Sequence, residues 1–126
     1  MERAHDASDE NAERQSSTTF AYDEVAYAGN ADDFIHPRNL EVTASLFGLG
    51  PATLSDCRIL ELGCAVGTNL LPLAMEFPGS KFVGVDLAGD RSREARELAA
   101  EVGLTNIEFH HISVGDVNSS LGTFDY

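Results

Sequence analysis

Hydrophobic positions change their spacing along the chain, and these changes predict a succession of strands and helices. Short apolar runs at 58–62 (RILEL), 81–87 (KFVGVDL) and 107–114 (IEFHHISV) predict three β-strands. Two segments with helical periodicity, at 68–77 and 90–103, separate the strands. Strands that alternate with helices of about 10–15 residues are typical of βαβ units, so the pattern predicts a parallel sheet of an α/β fold.

The ends of the helices are also readable from the sequence. Pro37 suits the first turn of a helix that precedes the first strand, because its φ is fixed and it has no N–H. Gly48 and Gly50 predict where that helix ends. The helix at 90–103 is predicted to turn one apolar face to the sheet, formed by Ala95, Leu98, Ala99 and Val102.

Composition divides the chain into three predicted segments. Residues 1–19 are polar and acidic and carry no large apolar side chain after Met1, so we expect a disordered tail. Residues 20–57 form an N-terminal cover segment and helix. Within it, Tyr22 and Tyr27 either pack onto the sheet or belong to a lid over a ligand. Residues 58–126 are predicted to hold the N-terminal half of the α/β domain.

Net charge and composition argue against several kinds of partner and binding site. The formal net charge of −13 disfavours nucleic acid as a partner, since an acidic surface repels phosphates. No apolar run approaches the roughly 20 residues that span a bilayer, and no signal peptide is visible, so we expect a cytoplasmic protein without a membrane partner. Cys57 and Cys64 lack the spacing of metal ligands, and we predict two reduced thiols and no metal site.

The stretch ELGCAVGTN at 61–69 lies between the first strand and the next helix, where nucleotides bind in many α/β folds. Gly63, Ala65 and Thr68 match the dinucleotide fingerprint poorly. Glu61 would repel a pyrophosphate, but it suits an ammonium group or hydroxyls. Asp86, at the end of the second strand, can accept hydrogen bonds from ribose hydroxyls. A nucleoside with a cationic, amino-acid-like tail would satisfy both acids, and S-adenosylmethionine is such a molecule.

These residues carry a family resemblance. ELGCAVG, followed by FVGVDL and by a third strand that ends in HIS, resembles class I S-adenosylmethionine-dependent methyltransferases. The segments YDEVAY, HP, ILELGC with GTNLLPLA, and FDY resemble bacterial methyltransferases that carry a regulatory domain after the catalytic one. The resemblance runs from about Tyr22 to the last residue. It implies a Rossmann-like fold whose N-terminal half is present, with three parallel strands in the order 3-2-1 and flanking helices.

The resemblance also implies a cofactor site and a reaction. Glu61, Gly63 and Gly67 match the family's first motif, in which Ala65 replaces the middle glycine, and Asp86 matches the ribose-binding acid. Transfer of a methyl group from S-adenosylmethionine is the implied activity, whereas the methyl acceptor and the catalytic residues stay unassigned. The implied cofactor-binding residues are Glu61, Gly63, Cys64, Ala65, Gly67, Asp86, Leu87 and, near the adenine, Ser113.

Alternatives remain open from the residues themselves. The glycines could serve only close packing between strand and helix, and Asp86 could be an acid at a helix N-terminus. The chain could be a non-catalytic cofactor-binding fragment that needs a second chain, or a nicotinamide-dependent oxidoreductase.

TFDY at 123–126 predicts only the entrance to a fourth strand beside the first. The first strand would then be an exposed edge that self-associates or pairs with a second chain, and the isolated chain would be inactive.

Overall fold

The computed structural model describes residues 33–126, so the predictions for residues 1–19 and for Tyr22 and Tyr27 lie outside the described residues. Helices and strands alternate in the predicted order. They are α1 (Pro37–Leu46), β1 (Arg58–Leu62), α2 (Leu70–Glu76), β2 (Lys81–Asp86), α3 (Gly89–Glu101) and β3 (Ile107–His111), with short 3-10 turns at Asp33–Ile35, Val114–Asp116 and Ser119–Leu121.

The three strands form one parallel sheet in the order β1-β2-β3. This order is the predicted 3-2-1 counted from the other edge, so the predicted Rossmann-like sheet is confirmed. Ile59, Phe82 and Ile107 stand side by side across it. Because all three strands run in one direction, Glu61 and Asp86 both come at the carboxyl ends of their strands.

The main hydrophobic cluster lies on one face of this sheet, while Val83 and Val85 are buried on the other face. Successive right-handed crossovers that move in one direction along a sheet place their helices on the same side. Accordingly, both α2 and α3 contribute to the core that covers Ile59, Phe82 and Phe109. The helix residues in this core are Leu70, Leu73, Ala74, Ala95 and Ala99.

The buried face of α3 differs from the prediction. Ala95 and Ala99 are buried as expected, but Leu98 and Val102 are 38% and 54% exposed, so the prediction was wrong for these two. Ser92 is fully buried in their stead. The stripe that faces the sheet consists of small residues three and four positions apart, which allow a close approach that the larger side chains would prevent.

Two predicted elements are shorter than expected. β3 ends at His111 rather than at 114, because the Ser113 hydroxyl accepts a hydrogen bond from the Gly115 amide and starts a 3-10 turn. α2 begins at Leu70 rather than at 68, after a turn in which the Leu71 amide donates to the Gly67 carbonyl. Both changes affect the loops at the carboxyl edge of the sheet.

A buried amide joins the end of α2 to the start of β3. The Asn106 side chain donates to the carbonyl oxygens of Ala74, Phe77 and Ser80, at 3.0, 3.2 and 3.1 Å from Nδ2. Asn106 is 8% exposed, so these bonds satisfy backbone carbonyls that water does not reach freely. They fix the corner that leads into β2.

The last residues begin a fourth strand beside β1. The Leu60 amide donates to the Tyr126 carbonyl at 3.0 Å, and the Arg58 carbonyl accepts from the Tyr126 amide at 3.3 Å and from the Asp125 amide at 2.8 Å. This pattern is a parallel pairing, so the entrance to a fourth strand that TFDY predicted is present. Tyr126 pairs with β1 only as far as Leu60, so the edge of β1 beyond Leu60 has no backbone partner among the described residues.

The Arg58 side chain holds this terminal segment against the sheet. Its Nη2 donates to the Leu121 carbonyl at 3.0 Å, and its guanidinium lies 5.1 Å from the centre of the Phe124 ring. A cation over an aromatic face contributes roughly 0.5–1 kcal/mol at an exposed site. No helix in the described part of the chain is long and apolar enough to cross a membrane.

We predict that Arg58→Ala loosens residues 119–126 without unfolding the three-stranded sheet. Loss of the cation–aromatic contact and of the bond to Leu121 should destabilise the terminal pairing by about 1 kcal/mol. The Leu60 amide should then exchange its hydrogen several times faster, as measured by hydrogen–deuterium exchange. Lys81→Ala, at the neighbouring position across the sheet, is the matched control. Equal exchange at Leu60 in both variants would show that Arg58 does not anchor the segment.

Candidate functional site

The chain turns sharply where β1 ends, and two glycines make the turn possible. The amides of Gly63 and Cys64 both donate to the Val85 carbonyl, at 2.8 and 3.1 Å. Gly63 and Gly67 have φ of +75° and +76°, in the left-handed region that favours glycine. Around Gly63 there is no atom within 4 Å of an added Cβ, whereas at Gly67 a Cβ would lie 2.5 Å from the Phe109 ring. A side chain at position 67 would clash with Phe109, so packing explains why this residue is glycine, whereas the space beside Gly63 is open.

Ala65 is the one non-glycine residue in the described part of the chain with a positive φ, at +47°. This conformation costs an L-residue roughly 1–2 kcal/mol. The Ala65 amide donates to Asp86 Oδ2 at 2.7 Å. The bond to a carboxylate compensates in part for the strained backbone and holds the loop against the end of β2.

Asp86 ties together the two loops that follow β1 and β2. Its Oδ2 accepts from Ala65, and its Oδ1 accepts from the Ala88 amide at 2.8 Å, just before α3. The second bond agrees with the alternative in which Asp86 serves a helix N-terminus. Each carboxylate oxygen accepts more than one hydrogen bond, so hydroxyl donors can still bind to both oxygens.

Glu61 carries the unsatisfied group of the site. Its Oε1 accepts from Asn69 Nδ2 at 2.7 Å, but its Oε2 is buried and has no hydrogen-bond partner among the described residues. Burial raises the pKa of the Glu61 carboxyl, the Asn69 bond lowers it, and the nearby charge of Asp86 raises it further. A cation placed against Oε2 would satisfy this oxygen and stabilise the ionised form.

Asn69 did not figure among the predicted site residues. Its side chain reaches from the turn before α2 back to the end of β1, and no sequence motif indicates that contact. The sequence feature that could have indicated this contact is the position of Asn69 directly after the glycine loop, which follows the acidic end of β1.

Four amides of the loop donate into the protein rather than towards a ligand. Gly63 and Cys64 donate to Val85, Ala65 donates to Asp86, and Gly67 donates to the Cys64 carbonyl at 2.8 Å. An anion-binding loop instead directs its free amides at the phosphate. Here two carboxylates flank the loop, so the site suits ligands that donate hydrogen bonds or carry positive charge.

The remaining predicted site residues differ in their contacts. Cys64 is buried against Gly84, and burial, together with Asp86 and Glu61, raises the pKa of its thiol to about 12. Leu87 is half-buried and follows Asp86 directly. The Ser113 hydroxyl accepts from Gly115, and no described contact joins it to Glu61 or Asp86.

Both cysteines are buried free thiols, as predicted. The described residues include no cluster of three or more side chains able to hold a metal ion.

Comparison with known proteins connects this geometry to a family. Residues 59–126 match a family described as "Methyltransferase domain". An uncharacterised protein of Rickettsia prowazekii is 45% identical over 105 residues, which cover 83% of this chain and 19% of that protein. The ribosomal RNA small subunit methyltransferase G of Bacteroides fragilis strain NCTC 9343 is 37% identical over 68 residues, covering 54% of this chain and 32% of that enzyme.

A solved structure is similar over most of the described fold. PKMT2 from Rickettsia typhi, in complex with AdoHcy, is 32% identical, with a TM-score of 0.76. The match covers 80% of this chain but only 19% of PKMT2. The chain thus spans about a fifth of the length of these two rickettsial proteins.

We predict that Ala65→Gly stabilises the fold slightly. Glycine removes a left-handed penalty of roughly 1–2 kcal/mol, while greater freedom of the unfolded chain opposes the gain by roughly 0.4–1 kcal/mol. The free energy of unfolding, measured by urea denaturation, should therefore rise by up to about 1 kcal/mol.

Ala88→Gly is the matched control for this substitution. Ala88 has a φ of −78° in the following loop, so glycine should lower stability there. A loss of stability of equal size in both variants would mean that the Ala65 backbone is not strained.

We predict that Glu61→Gln changes how stability depends on pH. The folded-state pKa of Glu61 is raised, so the folded chain binds more protons than the unfolded chain. The contribution of Glu61 is therefore most favourable below its unfolded pKa, and it is lost as pH rises through the folded pKa. Relative to the wild type, Glu61→Gln should gain stability as pH rises through that window, as measured by thermal melting from about pH 4 to about pH 8.

Glu101→Gln, at an exposed position near the end of α3, is the control for removing one charge from this acidic chain. It should show no comparable change across the same window. If the difference in melting temperature between wild type and Glu61→Gln is independent of pH, Glu61 is not desolvated in the folded chain.

Proposed function

This chain belongs to the methyltransferase domain family, and we propose that it forms the cofactor-binding part of an S-adenosylmethionine-dependent methyltransferase. PKMT2, which is similar over most of this chain, has AdoHcy bound in its structure. AdoHcy is the product that S-adenosylmethionine leaves after methyl transfer, so the likeness supports the same cofactor here. The methyl acceptor is not assigned.

The observation that carries the proposal is the presence of carboxylate acceptors beside the glycine loop, where a phosphate-binding loop directs free amides at its ligand. Four of its amides donate within the protein, and two carboxylates lie at the adjoining strand ends. S-adenosylmethionine presents an ammonium group and two ribose hydroxyls, all hydrogen-bond donors, and it carries one carboxylate but no phosphate. The donor-poor, acceptor-rich site fits such a ligand.

Each acid has a role in this proposal. Glu61 Oε2, buried and unpartnered, would accept from the ammonium group of the methionine portion. Asp86 would accept from the ribose hydroxyls through the second lone pairs of its two oxygens, while it keeps the bonds that position the loop. The open space at Gly63 would let the ligand approach the backbone closely. Cys64, Ala65, Gly67 and Leu87 would shape this site, and we retain Ser113 as the residue nearest the adenine.

The bound cofactor would supply a methyl group on a positively charged sulfur, which a nucleophile displaces in line. The residues of this chain would orient that cofactor by fixed hydrogen bonds, and such orientation supplies most of the rate enhancement in displacement reactions of this kind. No described side chain is assigned as a base.

The nicotinamide-dependent alternative is less well supported. A dinucleotide carries a pyrophosphate that needs free amides at the start of α2, and the acid at Glu61 would repel it. Four of the loop amides already have acceptors within the protein, which leaves fewer donors for a pyrophosphate.

Calorimetric titration of the full 126-residue chain tests the proposal. S-adenosylmethionine and S-adenosylhomocysteine should bind, and NAD should not. Asp86→Asn should weaken binding by about tenfold, because a charged acceptor forms a hydrogen bond roughly twice as strong as a neutral one. Asp116→Asn, an exposed acid beyond β3, is the control. Binding of NAD alone, or unchanged affinity in Asp86→Asn, would contradict the assignment.

We further propose that methyl transfer needs a polypeptide strand beside the second half of β1. Pairing with Tyr126 extends to Leu60, and Leu62 beyond it is 52% exposed. An apolar strand edge of this kind favours pairing with another chain or with a second copy. Sedimentation of the chain over a range of concentrations, with methyl-transfer assays on the same samples, tests this proposal. An active monomer at every concentration would overturn it.

Two predictions from the sequence remain proposals. One is the division into residues 1–19, 20–57 and 58–126. The other is a cytoplasmic location.

A further inference from the structure

Asn69 directs its side chain to β1 rather than to its own helix. Its backbone is helical, with φ −84° and ψ −42°, and its side chain makes no capping hydrogen bond to α2. Asparagine near a helix start commonly bonds a neighbouring backbone amide. Here its Nδ2 donates to Glu61 Oε1 at 2.7 Å, eight residues back along the chain.

This bond fixes one oxygen of the carboxylate and leaves the other for a ligand. A carboxylate held by Oε1 cannot rotate freely, so Oε2 has a defined position. Oε2 is buried and has no partner among the described residues. The two carboxylate oxygens of Glu61 therefore differ, since Oε1 has a hydrogen-bond partner and Oε2 is available to a ligand.

We propose that Asn69 is a positioning residue that holds Glu61 ionised and oriented, so that Oε2 receives the ammonium group of S-adenosylmethionine. This inference rests on the proposed function of the site. By this inference, a neutral side chain at the start of α2 influences cofactor affinity through Glu61.

The groups around Glu61 explain why such a residue is needed. Burial favours the protonated acid, and the Asp86 carboxylate at the end of β2 acts in the same direction. The Cys64 thiol, whose pKa is about 12, is neutral and contributes no compensating charge. Among the described groups around Glu61, Asn69 opposes these effects through its N–H donor. Without it, a larger fraction of Glu61 would carry a proton.

Protonation of Glu61 matters because a neutral acid attracts a cation poorly. Where Glu61 is protonated, binding the ammonium group requires that the proton leave for solvent, and this requirement weakens the observed affinity. Loss of Asn69 should therefore reduce cofactor affinity most at low pH, and the deficit should shrink as pH rises and Glu61 ionises again.

Two substitutions at position 69 test the proposal in the 126-residue chain. Asn69→Ser removes the long donor, and Asn69→Asp replaces it with an anion. Both residues suit the start of a helix. The pKa of Glu61, followed by NMR of the side-chain carboxyl carbon, should rise in Asn69→Ser and rise further in Asn69→Asp. Asn39→Ser, an exposed asparagine on α1, is the matched control and should leave that pKa unchanged.

Cofactor titration of the same variants supplies the second measurement. Affinity should fall about tenfold near neutral pH in Asn69→Ser, and the loss should diminish at higher pH. A Glu61 pKa that is the same in wild type and both variants would overturn the proposal. So would a loss of affinity that is equal at every pH, since a purely structural defect would behave in that way. If the wild type binds no cofactor, the proposed function fails, and the carboxyl titration still decides whether Asn69 controls Glu61.

Discussion

The Val85 carbonyl accepts hydrogen bonds from two successive amides, those of Gly63 and Cys64, and the geometry of the whole site depends on this contact. It extends the pairing of β1 and β2 by one step and then reverses the direction of the chain. Only a residue with a left-handed backbone fits at the first of these positions, which explains Gly63. Once the chain has turned, the Ala65 amide comes within reach of Asp86, and the two strand ends become one unit.

This unit illustrates how one loop architecture serves opposite chemistries. A glycine turn between a strand and a helix can expose its amides and bind phosphate, or it can use them internally and leave acidic side chains to face the ligand. The difference lies in the strand ends. Glu61 and Asp86 provide acceptors on both sides of the loop, and four of the loop amides bond to the backbone or to one of these acids. Counting glycines in the motif does not distinguish these cases, whereas the charge of the neighbouring residues does.

The sequence predicted the parallel sheet and the elements around the site because these depend on local patterns, whereas the strand order was implied by the family resemblance. Apolar runs bounded by glycine and proline identify the strands, and the parallel arrangement follows from the helices between them. The α3 face was predicted less well, because helical periodicity marks Leu98 and Val102 as equivalent to Ala95 and Ala99. The space between helix and sheet, which decides among them, is a tertiary property.

Side-chain contacts across the fold were the least predictable part of the site. The sequence identified Glu61 and Asp86 as acids at strand ends, yet it did not indicate that Asn69 bonds to one and Ala65 to the other. It also left open the sign of φ at Ala65, which depends on the bonds made by neighbouring residues. The assignment of Ser113 to the site came from family resemblance alone, and its hydroxyl bonds locally to Gly115.

The Asn106 amide has a consequence for the order in which the chain assembles. Its two N–H hydrogens are shared among three carbonyls, on Ala74, Phe77 and Ser80, that belong to the corner before β2. That corner lies about 26 to 32 residues earlier in the chain. The Phe77 carbonyl also accepts from the Ser80 amide, but the carbonyls of Ala74 and Ser80 lack the Asn106 donor until the segment that leads into the third strand arrives. Assembly of the three strands is in this way made cooperative by one side chain, and partially formed sheets are disfavoured as resting states.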